Sequence, residues 1–167
     1  MKRKDYLAGF LLGFFIPTLF IGLIVKNLFI PQDIVLNDLE LVDFQNKPID
    51  KASFKDKNVL INFWATWCRP CIEEIPTFEQ LDKNLDKDNW VLLLANDESN
   101  RRQEAFFKKR KYDVVFIKSN TKFSDLGIMS IPRTYIWDKS GELVYKVIGK
   151  IEGKTEEKLM EKIEELN

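Results

Sequence analysis

The sequence predicts an α/β protein, a central mixed β-sheet flanked by helices and preceded by one N-terminal transmembrane helix. Three observations predict it. Residues 6–25 form an apolar run without a charge. Beyond it, short apolar segments alternate with segments of helical period, the pattern of strand–helix–strand units. Near the C-terminus the alternation gives way to two strand-like runs around "DKSG" (138–141), a hairpin that adds antiparallel strands.

The first element, "YLAGFLLGFFIPTLFIGLIV", would be about 30 Å long as a helix, the thickness of a bilayer's hydrocarbon core. Pro17 interrupts it, but membrane helices tolerate proline where neighbouring groups satisfy the freed carbonyl. Lys2, Arg3 and Lys4 precede the run, which keeps that end in the cytoplasm and the rest of the chain outside. A cleavable signal peptide is the rival, yet "GLIVKNLFIP" offers no A-x-A-like step and the run exceeds the usual apolar core. A buried helix of a soluble protein would need a polar face, and none exists here. The expected organisation is a cytoplasmic N-terminus and anchor over 1–30, a linker over 31–37 with Pro31 as helix breaker, and a globular domain over 38–167.

Within that domain, "LELVDF" (39–44) alternates like a strand and "QNKP" (45–48) supplies the turn after it. "VLINF" (59–63) and "WVLLLA" (90–95) read as strands buried on both faces. Between them Ile72, Ile75, Phe78, Leu81 and Leu85 recur at three- and four-residue steps, an amphipathic helix. A second helix is expected over 100–112 with Ser99 or Asn100 as N-cap, and "KKRK" (108–111) as its solvated face. "VVFI" (114–117) is a further strand, and "TKFSDLG" (121–127) a brief helical turn ending at glycine. The hairpin occupies 132–149. Thr155 is expected to cap a last helix whose first turn holds Glu156 and Glu157 and whose apolar side is Leu159, Ile163 and Leu166.

Charge and composition narrow the function classes. The chain has 26 basic and 26 acidic side chains, and so lacks the basic surplus that nucleic-acid binding requires. Histidine is absent and there are two cysteines, Cys68 and Cys71, in "NFWATWCRPCIEEIP" (62–76). A disulfide between them would close almost the smallest possible loop and add little stability. A metal site would need a third and fourth ligand from another cysteine pair or from histidines, which the chain lacks. A redox couple uses what is present. The pair follows a buried strand and opens a helix, so Cys68 meets free N–H groups and the positive end of the helix dipole, both of which favour a thiolate. Arg69 adds a neighbouring cation, and Pro70 suits a first helical turn, where its missing N–H costs nothing. Cys71, one turn in, should be the more buried. Cys68 then attacks a partner's disulfide, and Cys71 resolves the mixed disulfide.

"FWATWCRPC" after a buried strand, with "SIPRTYIWD" some sixty residues later, resembles the thioredoxin superfamily. Together with E-x-P at 74–76 and the membrane anchor, it is similar to the TlpA/ResA-like extracytoplasmic thiol–disulfide oxidoreductases over residues 34–167. The resemblance implies a thioredoxin-like fold, with Cys68 and Cys71 as the redox pair. It implies a cis peptide before Pro132, with the Ile131 backbone free to pair with an extended substrate and Trp67 beside Cys68. It also implies that Glu74 exchanges a proton with the resolving thiol, all the more because Asn62 stands where cytoplasmic thioredoxins keep a buried aspartate. Glu73 reads as a helix-terminus acid.

The implied activity is reduction of protein disulfides outside the cytoplasm of a bacterium. The partners would be disulfide-containing proteins, with apocytochrome c cysteines as leading substrate, and a membrane donor of thiol reductant. No cofactor or metal is implied. A disulfide-introducing oxidant or isomerase is the runner-up, weakened because the intervening pair is "RP" and carries no histidine to stabilise a thiolate. A redox-inactive binding module is the rival of another class. A peroxidase lacks its T-x-x-C context here.

Overall fold

In the computed structural model, which describes residues 34–167, the apolar runs become six strands and three α-helices. The strands are β1 (Leu41–Val42), β2 (Asn58–Phe63), β3 (Trp90–Asn96), β4 (Phe116–Ser119), β5 (Arg133–Trp137) and β6 (Leu143–Ile148). The helices are α1 (Arg69–Asn84), α2 (Asn100–Phe107) and α3 (Lys154–Leu166). They build one mixed sheet in the order β1-β4-β3-β2-β5-β6. β2, β3 and β4 run parallel, while β1, β5 and β6 join antiparallel. The expected transmembrane helix over 6–25 lies outside the described residues. No described helix is long and apolar enough to cross a membrane.

β2 is buried at every position, as its unbroken apolar run anticipates. Its side chains divide between two cores by the two-residue period of a strand. Leu60, with Leu94 and Ile136, packs against Ile75 and Phe78 of α1, Phe106 of α2, and Leu159 and Ile163 of α3. Val59, Ile61 and Phe63 face Leu36, Leu39, Phe54, Phe123 and Trp137. The α-helices therefore all serve one core. The other is covered by 3-10 segments (Leu36–Asp38 and Lys51–Phe54) and by the turns around Phe123 and Ile128. Helices on both faces, in the sense the alternation suggested, are found only if these short 3-10 turns are counted. Residues 34–37, expected in a linker, pack on the domain: Leu36 is buried and the Ile34 carbonyl accepts the Trp137 indole N–H at 3.0 Å.

Several boundaries differ from expectation for local reasons. β1 stops at Val42 because the Asp43 carboxylate accepts the N–H groups of Gln45 and Lys47, turning the chain early. β4 begins at Phe116 and runs to Ser119, since its partner β1 pairs with Ser119 and Lys118. α2 ends at Phe107, not Tyr112. The following like charges, Lys108 to Lys111, gain nothing from a continued helix, and the Arg110 guanidinium folds back over the Phe106 ring at 4.5 Å. The "KKRK" stretch is exposed, but in turn conformation rather than on a helix. Ser99 occupies the N-cap position of α2 without a side-chain cap bond, and Asn100 donates to the Phe44 carbonyl instead.

Thr155 does not cap α3. Gly153 is the N-cap residue, and the Thr155 hydroxyl accepts the Glu152 N–H at 3.0 Å and donates to the Glu152 carbonyl at 2.7 Å. The hairpin forms as expected, with Asp138 accepting from Ser140 and Glu142 and with Gly141 at φ 83°.

The docking of α3 rests on its apolar stripe. Leu159→Ala should cost about 2–5 kcal/mol in urea unfolding. Met160→Ala on the same helix, at a 41% exposed position, should stay within about 0.5 kcal/mol.

Candidate active site

Topology brings two distant segments to one end of the sheet. β2 runs towards that end and hands the chain, through Trp64 to Trp67, to the N-terminus of α1. β5 starts there, with Phe63 paired to Arg133. The cysteine motif and the segment before Arg133 therefore meet. The Ile131–Pro132 peptide is cis, and the Pro132 carbonyl accepts the Gly149 N–H at 2.9 Å.

Cys68 is the N-cap residue of α1, and Arg69 and Pro70 open its first turn. Cys68 and Cys71 form a disulfide, and the Cys68 sulfur accepts the Cys71 N–H at 3.3 Å. Cys68 is 4% exposed and Cys71 fully buried, so the order of exposure follows the expectation although both are largely covered. Arg69 does not lean on the sulfur. Its side chain is 90% exposed and its guanidinium engages Glu73 at 3.0 Å. Trp67 is 68% exposed. It lines a groove of about 390 Å³ with Asp97, Phe123, Met129 and Ile131, beside the cis peptide.

Glu74 lies one turn beyond Cys71 and is buried. Its Oε1 accepts the Asn62 amide at 2.8 Å and its Oε2 the Ile151 N–H at 3.0 Å. Asn62 also donates to the Thr134 hydroxyl at 3.1 Å. Burial pushes the Glu74 carboxyl up to about 7, against the opposing pull of the Ile151 and Asn62 donors and of the Lys150 charge. Desolvation is the largest of these effects. Glu73 lies outside this buried set, yet it is no bystander. Its carboxylate takes Arg69 and Lys150, whose hydrogen bonds hold it below the usual carboxylate range.

Sequence reasoning missed three residues. Glu98 fixes the loop before the cysteines: its carboxylate accepts the Thr66 N–H at 2.6 Å and hydroxyl at 3.0 Å, and the Asn96 amide at 3.0 Å. Burial would raise that carboxyl, but these donors and Arg102 outweigh it and hold it down. Thr134 and Ile151 complete the surroundings of Asn62 and Glu74. An acid just past a buried strand was a readable signal for Glu98. Nothing local marks Ile151, 77 residues from Glu74.

Glu74 gives a stability signature. In the folded chain it keeps a proton between pH 4.5 and about 7 that the unfolded chain releases. The folded state binds more protons in that window, so stability falls as pH rises through it and levels off above. The loss should be on the order of 3 kcal/mol in the oxidised protein. Glu74→Gln should flatten that slope in urea unfolding between pH 4 and 8.

Residues 34–146 match the AhpC/TSA family. The thiol-disulfide oxidoreductase ResA of Bacillus thuringiensis subsp. konkukian is 30% identical over 113 residues, 66% of this chain and 65% of the relative. The chain thus spans about two-thirds of that relative's length. The thioredoxin-like protein YneN of Bacillus subtilis is 37% identical over 111 residues, 59% of this chain and 64% of the relative. Among solved structures, the exposed lipoprotein thioredoxin Etrx1 of Streptococcus pneumoniae superposes with a TM-score of 0.65 at 24% identity, covering 76% of this chain and 98% of that one. The matched residues make up most of the chain, and the fold is the thioredoxin-like fold of that solved structure: the chain belongs to the AhpC/TSA family.

Proposed function

We propose that the protein is an extracytoplasmic thiol–disulfide oxidoreductase that reduces disulfides of protein substrates. The observation that carries this reading is the Cys68–Cys71 disulfide at the N-terminus of α1. It corresponds to the oxidised end of a reductive cycle. In the reduced protein the Cys68 thiolate attacks one sulfur of a substrate disulfide. A mixed disulfide forms, and the substrate's other sulfur leaves as a thiolate that takes a proton from solvent. Cys71 then gives its proton to the Glu74 carboxylate and attacks the Cys68 sulfur. That step expels the second substrate sulfur as a thiolate, which takes a proton from solvent, and closes the Cys68–Cys71 bond. Two electrons pass to the substrate, and a membrane thiol donor returns them to the cysteine pair.

The assignments follow the geometry. The helix N–H groups favour the thiolate of Cys68, and Pro70 lets the helix start there without an unsatisfied donor. Glu74, titrating near neutrality, is matched to accept and return a proton. The Ile131 backbone beside the cis peptide and the apolar groove with Trp67 offer an extended substrate both a strand-like edge and an apolar contact. Arg69 tunes the pair only from a distance, since Glu73 holds its charge. The relatives named thiol-disulfide oxidoreductases support the reaction class; reduction is the proposed direction and apocytochrome c cysteines the proposed substrate. The apolar run over residues 6–25 is proposed as a single-pass anchor, with the domain on the outer side of the cytoplasmic membrane.

Reduction of insulin disulfides with dithiothreitol as donor tests the activity. Cys68→Ser should lower turnover by at least about 10²-fold. Cys71→Ser should accumulate mixed disulfides with protein partners, because the resolving attack is gone. Turnover by wild type no faster than by Cys68→Ser would leave a binding module instead. For the anchor, the full chain should stay with membranes through a carbonate wash while its cysteine domain is digested by protease added from outside.

A further inference from the structure

The loop between β6 and α3 is bracketed by Gly149 and Gly153, at φ 100° and 54°, values that glycine adopts without steric cost. It touches the candidate site at several points. Gly149 N–H meets the Pro132 carbonyl at 2.9 Å. Ile151, buried, gives its N–H to Glu74 Oε2 at 3.0 Å. Lys150 Nζ lies 3.3 Å from Glu73 Oε2 and 3.2 Å from Glu152 Oε2. Glu73 in turn holds Arg69, from between the two cysteines. A chain of alternating charges, Arg69–Glu73–Lys150–Glu152, thus crosses from the first turns of α1 to the loop. The Lys150 side chain is only 30% exposed, so its pair with Glu73 is partly shielded from solvent.

We propose that the Glu73–Lys150 pair is a clasp that keeps the Gly149–Gly153 loop seated on Glu74, making Lys150 a positioning residue for proton exchange at that carboxyl. The inference rests on the proton-exchange role given to Glu74 above. The groups that face Glu74 leave this work to Lys150. Asn62 from β2 and Thr134 from β5 are neutral, and α1 contributes the cysteine pair. α3 meets the loop through the neutral Thr155 hydroxyl and the backbone N–H groups of Thr155 and Glu157. Lys150 is the charge among the described residues that acts on the carboxyl. A seated loop keeps the Ile151 N–H close, and that donor favours the ionised carboxylate. Thr155 and the buried Ile151 side chain hold the loop even without the clasp. Losing Lys150 therefore loosens the N–H contact and removes a cation while the carboxyl stays buried. Both changes favour the protonated form.

The backbone amide of Ile151 reports directly on the clasp. In the full oxidised chain in detergent micelles, its hydrogen exchange and the pH titration of its NMR shift are followed for Lys150→Gln and Lys150→Arg. Lys150→Gln should speed exchange about threefold and move the titration midpoint up by about half a pH unit, the scale of a partly exposed ion pair. Lys150→Arg should keep both near wild type. Either readout unchanged in Lys150→Gln, or a midpoint that moves down, overturns the clasp. If Glu74→Gln leaves the pH profile of insulin reduction unaltered, the proton-exchange role of Glu74 fails instead, and the Ile151 measurements still decide whether the clasp exists.

Discussion

A buried carboxyl with two donors and, among the described residues, no counter-ion in direct contact organises the region under the disulfide. Glu74 belongs to α1, takes one hydrogen bond from Asn62 of β2 and another from the Ile151 backbone. Removing such a group from water is unfavourable for its charged form, and two neutral donors recover only part of the lost hydration. The carboxyl consequently sits near the point where proton and charge exchange places. Each contact also fixes a spatial relation: helix to sheet through Asn62, and helix to the β6–α3 loop through Ile151. The loop is in turn tied to the carbonyl of Pro132, so the redox pair and the cis peptide share one set of supports.

Strand direction explains why these parts meet at all. β2 and β3 are parallel, so the crossover between them must pass through a helix, and that helix begins where β2 ends. β5 pairs antiparallel to β2 and begins at the same end. A cysteine motif after β2 and a proline before β5 are therefore neighbours by topology, whatever the length of chain between them. Glu98 plays a comparable part on the other side. It pins Thr66 to the loop after β3 and so sets the path by which the chain reaches Cys68.

Much of this was legible in the sequence, and the remainder was not for definite reasons. The buried strands at 59–63 and 90–95, the amphipathic α1 and the DKSG hairpin each carry a local signature, whether apolar period or turn chemistry. The placement of Cys68 at a helix start follows from the strand before it and Pro70 after it. The elements misjudged were those whose ends are set by pairing and side-chain contacts that an apolar period does not record. β4 is extended by its pairing with β1, and α2 is cut short where Arg110 turns back onto Phe106. Glu73 looked like an ordinary helix-terminus acid because its partner Lys150 lies 77 residues away. The same distance hid the Ile151 N–H. Local sequence shows that a carboxyl follows Cys71; only the folded chain shows that it is dry.

The contact between the Ile34 carbonyl and the Trp137 indole has a consequence for traffic around the molecule. Trp137 closes the C-terminal end of β5, whereas Pro132 precedes its N-terminal end. The described chain thus enters the fold beside the pole farthest from the disulfide. Trp67 and Met129, at the opposite pole, are both largely exposed. If Cys68 is the sulfur that meets both the donor and the substrate, as proposed, the two visitors must use that rim by turns rather than together.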